Sequence, residues 1–351
     1  MAPAENDLRL RSVAGWSRLA LMLAGSGVVA YLLSQIGPYS VWASIRALGW
    51  RLLIVLAGPS SAALVLDALG WRVLLRDHEI PLKVLLRARL AGEAVNMSTP
   101  AASVGGEPLK AYLLRPYAPL SEGLASVVVD KTTVLASQVF LLLGGLCLAV
   151  TMLPFSHPLM RVMGALLGVE IVAVSGFVLV QTRGVFGGGG RILGRLGVGP
   201  TERYQTGLNA VDHGLIRLYQ DRWAGVLASV LLHFVAWASG ALEVYLFLVF
   251  LGLDASLALA LVIEAFGSAV KFAGFMIPAS LGVLEGGNVA IFAALGLGGL
   301  VGFSYTVVRR LREAVYGIIG LLWLAVLRAR PWLAEQADAR HLTRSRGGTR
   351  S

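Results

Sequence analysis

Long apolar runs, separated by short basic segments, occupy most of the chain. Several of these runs approach or exceed the ~20 residues with which a helix crosses a bilayer. They predict membrane-spanning helices near residues 17–37, 51–71, 124–153, 160–182, 224–252 and 303–328. The pattern therefore predicts an all-α, polytopic helical membrane protein.

Two further apolar regions are interrupted by prolines, glycines and ionisable residues, at about 90–114 and 256–297. Each region carries a proline and, seven positions later, a glutamate: Pro100 with Glu107, and Pro278 with Glu285. Non-helical backbone and carboxylates persist at membrane depth only against protein or a water-filled cavity. We therefore expect two re-entrant, broken-helix elements that form an inverted repeat and face one central cavity.

Basic residues set the expected orientation in the membrane. They concentrate after the second run, in the central loop and at both ends of the chain, which is typical of the cytoplasmic side. We expect a bacterial inner-membrane protein with both termini in the cytoplasm. Its expected parts are a cytoplasmic N-terminal segment (1–16), a transmembrane domain (17–328) with halves at 17–182 and 224–328, a cytoplasmic loop (183–223) and a basic cytoplasmic tail (329–351).

Composition agrees with this interpretation. Of the 351 residues, 56% are hydrophobic and 14% charged, whereas soluble domains have about 25% charged residues. The net charge of +10 lies in the short segments between the runs, so attraction to anionic lipid explains it better than nucleic-acid binding does. Within the central loop, residues 191–197 and 204–220 have the pattern of amphipathic helices on a membrane surface. The single cysteine excludes an intramolecular disulfide.

The first interrupted region offers a charged helix face. Pro108 is a favoured first helical residue, and Glu107, Lys110 and Arg115 fall near one face of the helix that it begins. In the functional interpretation, Lys110 and Arg115 bind a phosphate headgroup while Glu107 holds Lys110 in place. The alternative is an interfacial helix whose cations extend to the lipid headgroups.

The second interrupted region carries a similar set of charges. Glu285 opens a helix, where the helix dipole alone would favour a carboxylate. Glu264 and Lys271 are seven positions apart, so they share a helix face and could pair. The adjacent Asp130 and Lys131, in the first half, must point in different directions. Candidate partners in this set are Arg309, Arg310, Arg312 and Glu313.

The chain offers little support for catalysis. His233 is alone on an apolar run, where a satisfied core histidine is favoured over a proton carrier. The motifs of zinc hydrolases and of nucleophilic serine enzymes are absent from the sequence, as is a cysteine–histidine cluster. We therefore expect no catalytic residue, no cofactor and no metal.

The candidate lipid-contacting residues are polar or charged and lie in or beside the interrupted regions. They are Glu93, Asn96, Glu107, Lys110, Arg115, Asp130, Lys131, Glu264, Lys271, Glu285, Asn288, Arg309 and Arg312. The candidate structural residues, which permit the breaks, are Pro100, Gly105, Gly106, Pro278, Gly282, Gly286 and Gly287.

Three stretches carry a resemblance to a known family. They are Gly-Glu-Ala-Val-Asn96, Gly-Gly-Glu107-Pro-Leu-Lys110 and Pro278-Ala-Ser-Leu-Gly282-Val-Leu-Glu285. They resemble the lysylphosphatidylglycerol synthase transmembrane (flippase-like) family, over about residues 15–328. Glu-Ala-Phe-Gly before the last stretch is similar to a hopanoid-associated branch. The family often has arginine at the position of Lys110, and lysine would lose a bidentate grip on phosphate.

The resemblance implies an integral membrane lipid translocase that is not an enzyme. In the best-known members this region moves an aminoacylated phospholipid between leaflets, and a soluble synthase domain makes that lipid. Here only a basic tail follows, so we expect no aminoacyl transfer. Expected partners are a lipid with an anionic or polar headgroup, lipid-synthesis enzymes or a second copy of the chain, and no nucleic acid. Two alternatives remain: a membrane-embedded lipid-modifying enzyme that uses these carboxylates as acid and base, and an accessory scaffold of a lipid pathway.

Overall fold

The computed structural model describes residues 22–75, 77–98, 105–184, 202–275 and 277–328. These residues form helices joined by short turns, and they contain no strand. In chain order the helices are α1 (Met22–Ile36), α2 (Pro38–Leu48), α3 (Arg51–Leu74), α4 (Leu82–Ser98), α5 (Glu107–Leu113), α6 (Leu120–Ala149), α7 (Pro158–Thr182), α8 (Glu202–Gln220), α9 (Trp223–Phe250), α10 (Leu257–Ala273), α11 (Val283–Ala294) and α12 (Gly299–Arg328), with a turn of 3-10 helix at Pro278–Ser280.

Four of these helices, α3, α6, α7 and α9, are long and apolar enough to cross a membrane. The shorter α1 is also apolar. The predicted fold class, an all-α polytopic membrane protein, is confirmed. Asp130 and Lys131 do not interrupt α6, which continues through them for 30 residues, because both side chains have partners of opposite charge on neighbouring helices.

Residues 38–50 connect the first two predicted spans. Most of them form α2, which begins at Pro38, a residue favoured in the first turn of a helix. The helix ends before Gly49, whose φ of 51° is in the left-handed region that favours glycine. α2 packs against α12 and the start of α3. The first predicted span is therefore followed at once by a second helix.

The helix expected at 204–220 is present as α8, whereas the one expected at 191–197 lies outside the described residues. The apolar side chains of α8 pack against Leu74 of α3 and the start of α6. Asp77, in the turn between α3 and α4, pairs with Arg217 of α8 and with Arg222, which immediately precedes α9. The hydrogen bond from Arg222 lowers the pKa of this carboxyl. The central loop is thus attached to the first half.

The helices α3–α6 and α9–α12 form two matching sets. In each set a long helix is followed by a 17-residue helix, a break, a shorter helix and a 30-residue helix. Each set also has the same internal packing: α3 with α4, α4 with α5 and α5 with α6 correspond to α9 with α10, α10 with α11 and α11 with α12.

Each set packs one of its helices against the other set, and we call these two contacts the exchanged contacts. α4 of the first set packs against α12 of the second, and α10 of the second packs against α6 of the first. α3 and α9, the first helices of the two sets, make the most extensive helix contact in the described structure. Each break is therefore held by helices of both halves.

Candidate functional site

The first break lies between α4 and α5. Residues 99–104, including Pro100, lie outside the described residues. On the far side of the break, the Gly106 amide donates to Asn96 Oδ1 at 2.7 Å and so ties α5 back to α4. A side chain at Gly106 would overlap the Gly92 carbonyl, so this close approach of two backbones requires glycine.

Glu107, the first residue of α5, is the centre of a group of charges. Its carboxylate lies 3.1 Å from Lys110 Nζ and 3.7 Å from Lys131 Nζ on α6. Lys110 is buried and also lies 3.5 Å from Glu93 Oε1. The predicted contact between Glu107 and Lys110 is therefore present. The outer members are open, since half of the Glu93 side chain and 39% of the Lys131 side chain are exposed.

The second break, between α10 and α11, has an unusual backbone. Ala279 and Ser280 have φ values of 53° and 49°, in a region that costs non-glycine residues energy. Gly282, with φ of 82°, follows them and donates its amide to Glu285 Oε2 at 2.7 Å. This bond fixes the glutamate at the start of α11, where the helix dipole also favours a carboxylate.

Arg310 of α12 holds the second break together. Its Nε donates to Glu285 Oε1 at 2.9 Å, and its terminal nitrogens donate to the carbonyls of Ala279 at 2.7 Å and Ser280 at 3.4 Å. A guanidinium has enough donors in one plane to make these bonds together. The same side chain lies 3.4 Å from Glu313, so it also belongs to a wider group of charges.

The two breaks have corresponding ion pairs. Glu107 pairs with Lys131, and Glu285 pairs with Arg310. In each case the cation lies on the 30-residue helix that follows the break. The residue before each cation makes a buried pair with the helix that precedes the break: Asp130 with Arg89, and Arg309 with Glu264. The charges of this inner pair are reversed between the halves.

The charges of the two breaks lie within electrostatic range of one another. Lys271 Nζ lies 3.3 Å from Glu313 Oε1, which connects α10 to the Arg310 group. Glu93 lies within electrostatic range of Lys131 and of Lys271. We call the set Glu93, Glu107, Lys131, Lys271, Glu285, Arg310 and Glu313 the charged path. It runs from one break to the other, and several of its side chains are partly exposed.

Comparison with known proteins identifies the family of this chain. Residues 17–320 match the model of the lysylphosphatidylglycerol synthase TM region. The chain belongs to this family. A protein of Methanothermobacter thermautotrophicus named UPF0104 membrane protein is 27% identical over 235 residues, which cover 63% of this chain and 68% of that protein. No solved structure gives a significant match to the chain.

Several predicted contacts of this family member are wrong. Glu264 does not pair with Lys271; Arg309 donates to both of its oxygens, at 3.0 and 3.2 Å. A helix face can be shared without contact, and the partners of both residues lie on α12. Likewise Asp130 and Lys131 do not reach residues 309–313: Asp130 contacts Arg89 and His233, and Lys131 contacts Glu107.

Besides the buried Lys110 and Arg309, the candidate cations Arg115 and Arg312 lie outside the charged path. α5 ends at Leu113, so Arg115 is not on the face of Glu107; it is exposed and stacks over the Tyr112 ring at 3.6 Å. Arg312 pairs with the buried Glu243 of α9. Asn96 and Asn288 are buried in the packing of the two breaks, where Asn96 bonds Gly106 and Asn288 bonds Thr306 at 2.9 Å.

The remaining candidate structural residues have different roles. Pro278 begins the 3-10 turn, and a side chain at Gly287 would overlap Val270 of α10. Gly105 is half-buried. A side chain at Gly286 would meet open space, so no close contact requires glycine there.

Four residues that are important in the structure were not among the candidate lipid-contacting residues: Asp67, Arg89, Arg310 and Glu313. Arg310 and Glu313 were considered only as partners for Asp130 or Lys131. A signal for Arg89 was available, because Arg89, Glu93 and Asn96 follow one another at spacings of four and three, which places them on one helix face. Asp67 had no such signal, since it stands alone in an apolar run.

Proposed function

We propose that this protein moves a lipid with a polar headgroup between the two leaflets of its membrane. The headgroup passes along the charged path while the acyl chains remain in the bilayer. The observation that supports this proposal is that charges from both breaks, several of them partly exposed, lie within electrostatic range of one another. A single buried ion pair would serve as a structural contact, whereas a series of partly exposed charges from both halves suits a polar guest.

The exposure of these charges argues for water beside them. Side chains of Glu93 and Lys271 are 50% and 46% exposed, although they belong to helices packed among apolar spans. A charged side chain facing hydrocarbon costs about 2.5–3.5 kcal/mol or more. Water or a headgroup beside them would remove that cost, and a central cavity between the two re-entrant elements would supply it.

The cations of the charged path suit a phosphate group. The side chains of Lys131 and Lys271 are partly exposed, and Arg310 contributes a guanidinium at the second break. Each is already paired with a carboxylate of the protein, so an arriving phosphate would have to share the cation with that carboxylate or displace it from the contact.

The proposal involves no covalent change in the lipid. Glu107 and Glu285 both contact cations, and such contacts suit ion pairing better than general acid catalysis. In the proposed arrangement the protein spans the bacterial inner membrane with both termini in the cytoplasm, and its two breaks open from opposite sides. Mass spectrometry of lipids from cells that express the protein should then show no new lipid species; a new species would favour the lipid-modifying alternative.

Leaflet exchange in proteoliposomes tests the proposal directly. We expect the wild type to move a headgroup-labelled phospholipid, and Glu107→Gln and Glu285→Gln each to slow the exchange at least about tenfold, because loss of one ionic contact is worth about 1.5–3 kcal/mol. Glu79→Gln is the matched control, since Glu79 is exposed in the turn before α4. It should exchange lipid like the wild type.

The thermal unfolding of each variant distinguishes a specific loss of lipid exchange from a general loss of folded protein. Variants that unfold near the wild-type temperature but exchange slowly support the proposal. Normal exchange in both Glu107→Gln and Glu285→Gln would exclude these residues from transport. If the cells need the protein but these variants still support growth, while substitutions in the central loop do not, the scaffold alternative is favoured.

A further inference from the structure

A buried group of four ionisable side chains lies behind the charged path. His233 of α9 is fully buried and stands between two carboxylates. Its Nδ1 lies 2.7 Å from Asp67 Oδ1 on α3, and its Nε2 lies 3.0 Å from Asp130 Oδ1 on α6. Arg89 of α4 donates to Asp130 Oδ2 at 2.9 Å and lies 3.6 Å from Asp67 Oδ2. Four helices therefore meet at this group.

The hydrogen count of this group requires an extra proton. An ionised carboxylate only accepts hydrogen bonds, and a neutral imidazole has one donor and one acceptor nitrogen. Two short contacts from one ring to two carboxylates therefore need either an imidazolium or a protonated aspartate. With that proton, the net charge of the four groups is zero. Without it, the net charge is −1, and the lone pair of one ring nitrogen faces the lone pair of a carboxylate oxygen.

We propose that this group, formed by Asp67, His233, Asp130 and Arg89, is a proton-binding site. Binding and release of the proton at this site are coupled to movement of helix α4. Among the four, Asp67 is the entry point, because 29% of its side chain is exposed whereas His233 and Asp130 are buried. A proton from water reaches Asp67 and is shared with the ring. Release follows the same route in reverse and restores the anionic group.

The arrangement favours coupling over a static contact. Loss of the proton leaves an uncompensated negative charge among apolar helices, which is costly unless the group opens to water. Opening displaces Arg89, and Arg89 lies one helical turn before Glu93 of the charged path. Protonation would thus favour the closed packing of α4, and release would favour a state in which α4 has moved.

The charges that surround the group connect it to the charged path. On α4, Glu93 lies within electrostatic range of Arg89, and so does Glu107 on α5. Lys110 on α5 lies within electrostatic range of Asp130. On α3 and α6, the groups that face the ring are Asp67 and Asp130. A change of one proton is therefore sensed by the residues around the first break.

The packing around the ring also indicates a fixed position. A side chain at Gly70, one turn after Asp67, would overlap the His233 ring, so glycine makes the space that the imidazole fills. Thr133 and Ser229, one turn away on α6 and α9, bond to each other at 2.9 Å and hold these helices in register. The ring cannot turn away from both carboxylates without movement of a helix.

Magnetic resonance of the protein in phospholipid nanodiscs tests the proton itself. With nitrogen-labelled histidine and carbon-labelled aspartate, the His233 signal is assigned by its loss in His233→Gln, and that of Asp67 by its loss in Asp67→Asn. At pH 7 we expect the ring and the two carboxylates to share one proton beyond the one that a neutral ring carries. The exposed His213 supplies a reference histidine signal. A neutral ring between two ionised carboxylates at pH 7 would overturn the proposal.

Coupling is tested by lipid exchange under a pH gradient, with the membrane potential clamped to zero; this half of the proposal rests on the proposed function. With one proton per lipid, a gradient of one pH unit should shift the distribution of labelled phospholipid between leaflets about tenfold in the wild type. His233→Gln should show no shift, and the matched control His213→Gln should behave like the wild type. Asp67→Asn, which alters a partly exposed group, repeats the test if His233→Gln does not fold.

The outcomes separate this proposal from the proposed function. Wild-type exchange that is fast but insensitive to the gradient overturns the coupling and leaves lipid transport intact. Absence of any exchange in the wild type overturns the proposed function, while the magnetic resonance measurement still decides whether the proton is bound. A gradient response that survives in both His233→Gln and Asp67→Asn overturns the assignment to these residues.

Discussion

At the scale of single residues, the ion pair of Glu264 and Arg309 should be essential for stability. Both side chains are buried, and the guanidinium bonds both carboxylate oxygens. Glu264→Gln leaves the Arg309 charge without compensation, and removal of one partner of a buried pair typically costs about 3–5 kcal/mol. We expect a loss of that size in the free energy of unfolding, measured by denaturation in mixed micelles.

Lys271 provides the comparison, because it lies on the same helix and also pairs with α12. Its side chain is 46% exposed and lies 3.3 Å from Glu313. Exposed pairs contribute about 0–1 kcal/mol, so Lys271→Gln should change the free energy of unfolding by less than about 1 kcal/mol. Equal losses in Lys271→Gln and Glu264→Gln would contradict the distinction between a structural pair and a member of the charged path.

These two residues also show what sequence spacing can and cannot predict. Glu107 and Lys110, three positions apart in one helix, are in contact as predicted. Glu264 and Lys271 share a face but pair with different residues of α12. Contacts within one helix follow from its period, whereas contacts between helices depend on how the helices are arranged, which spacing along the chain does not contain.

At the scale of elements, the second break should depend on Arg310. The guanidinium bonds Glu285 and the carbonyls of Ala279 and Ser280, where the backbone is strained. Arg310→Lys supplies a point charge that cannot make these bonds together. The loss of one or two charge-assisted bonds, about 1.5–3 kcal/mol each, should speed hydrogen exchange of amides 280–286 at least about tenfold.

A matched substitution controls for the loss of an arginine as such. Arg161 is an exposed residue of α7, so Arg161→Lys should leave the exchange of amides 280–286 unchanged. Wild-type exchange rates in Arg310→Lys would show that the turn keeps its shape without the guanidinium. The strain at Ala279 would then have to be balanced by the packing of α10 and α11 alone.

Sequence could predict most elements but not all of their ends. Apolar length predicted the long helices, and the proline and glycines near Pro278 predicted the second break. The apolar runs did not predict a helix in residues 38–50, yet most of these residues form α2. The charged pair Asp130 and Lys131 falls inside a predicted span, and α6 continues through it because tertiary partners neutralise charges that an isolated helix would expose.

At the scale of the whole molecule, the two halves depend on each other. The echo of one motif in the other predicted a duplication, but it did not predict that each half would pack its 17-residue helix against the 30-residue helix of the other. That exchange brings the breaks together and makes one charged path from two separate groups. The assembly of the two halves therefore depends on a few close contacts between helices.

Two adjacent glycines of α6 test whether stability depends on the close contact between α6 and α10. A side chain at Gly145 would overlap Ala265 of α10, whereas one at Gly144 would meet open space. We expect Gly145→Ala to lower the free energy of unfolding by about 1–3 kcal/mol, the usual cost of overpacking. Gly144→Ala should cause no loss and could gain up to about 1 kcal/mol, because alanine is the better helix former.

Gly320 of α12 extends this test to the other exchanged contact. A side chain there would overlap the Leu90 carbonyl of α4, as a side chain at Gly145 would overlap α10. Since the two contacts correspond, Gly320→Ala should destabilise the protein about as much as Gly145→Ala, again measured by denaturation in mixed micelles. Suppose that Gly145→Ala and Gly144→Ala have the same free energy of unfolding, while Gly320→Ala is severely destabilised. Only the contact between α4 and α12 would then depend on close packing. The two breaks would then be unequal, with the second free to move against α6.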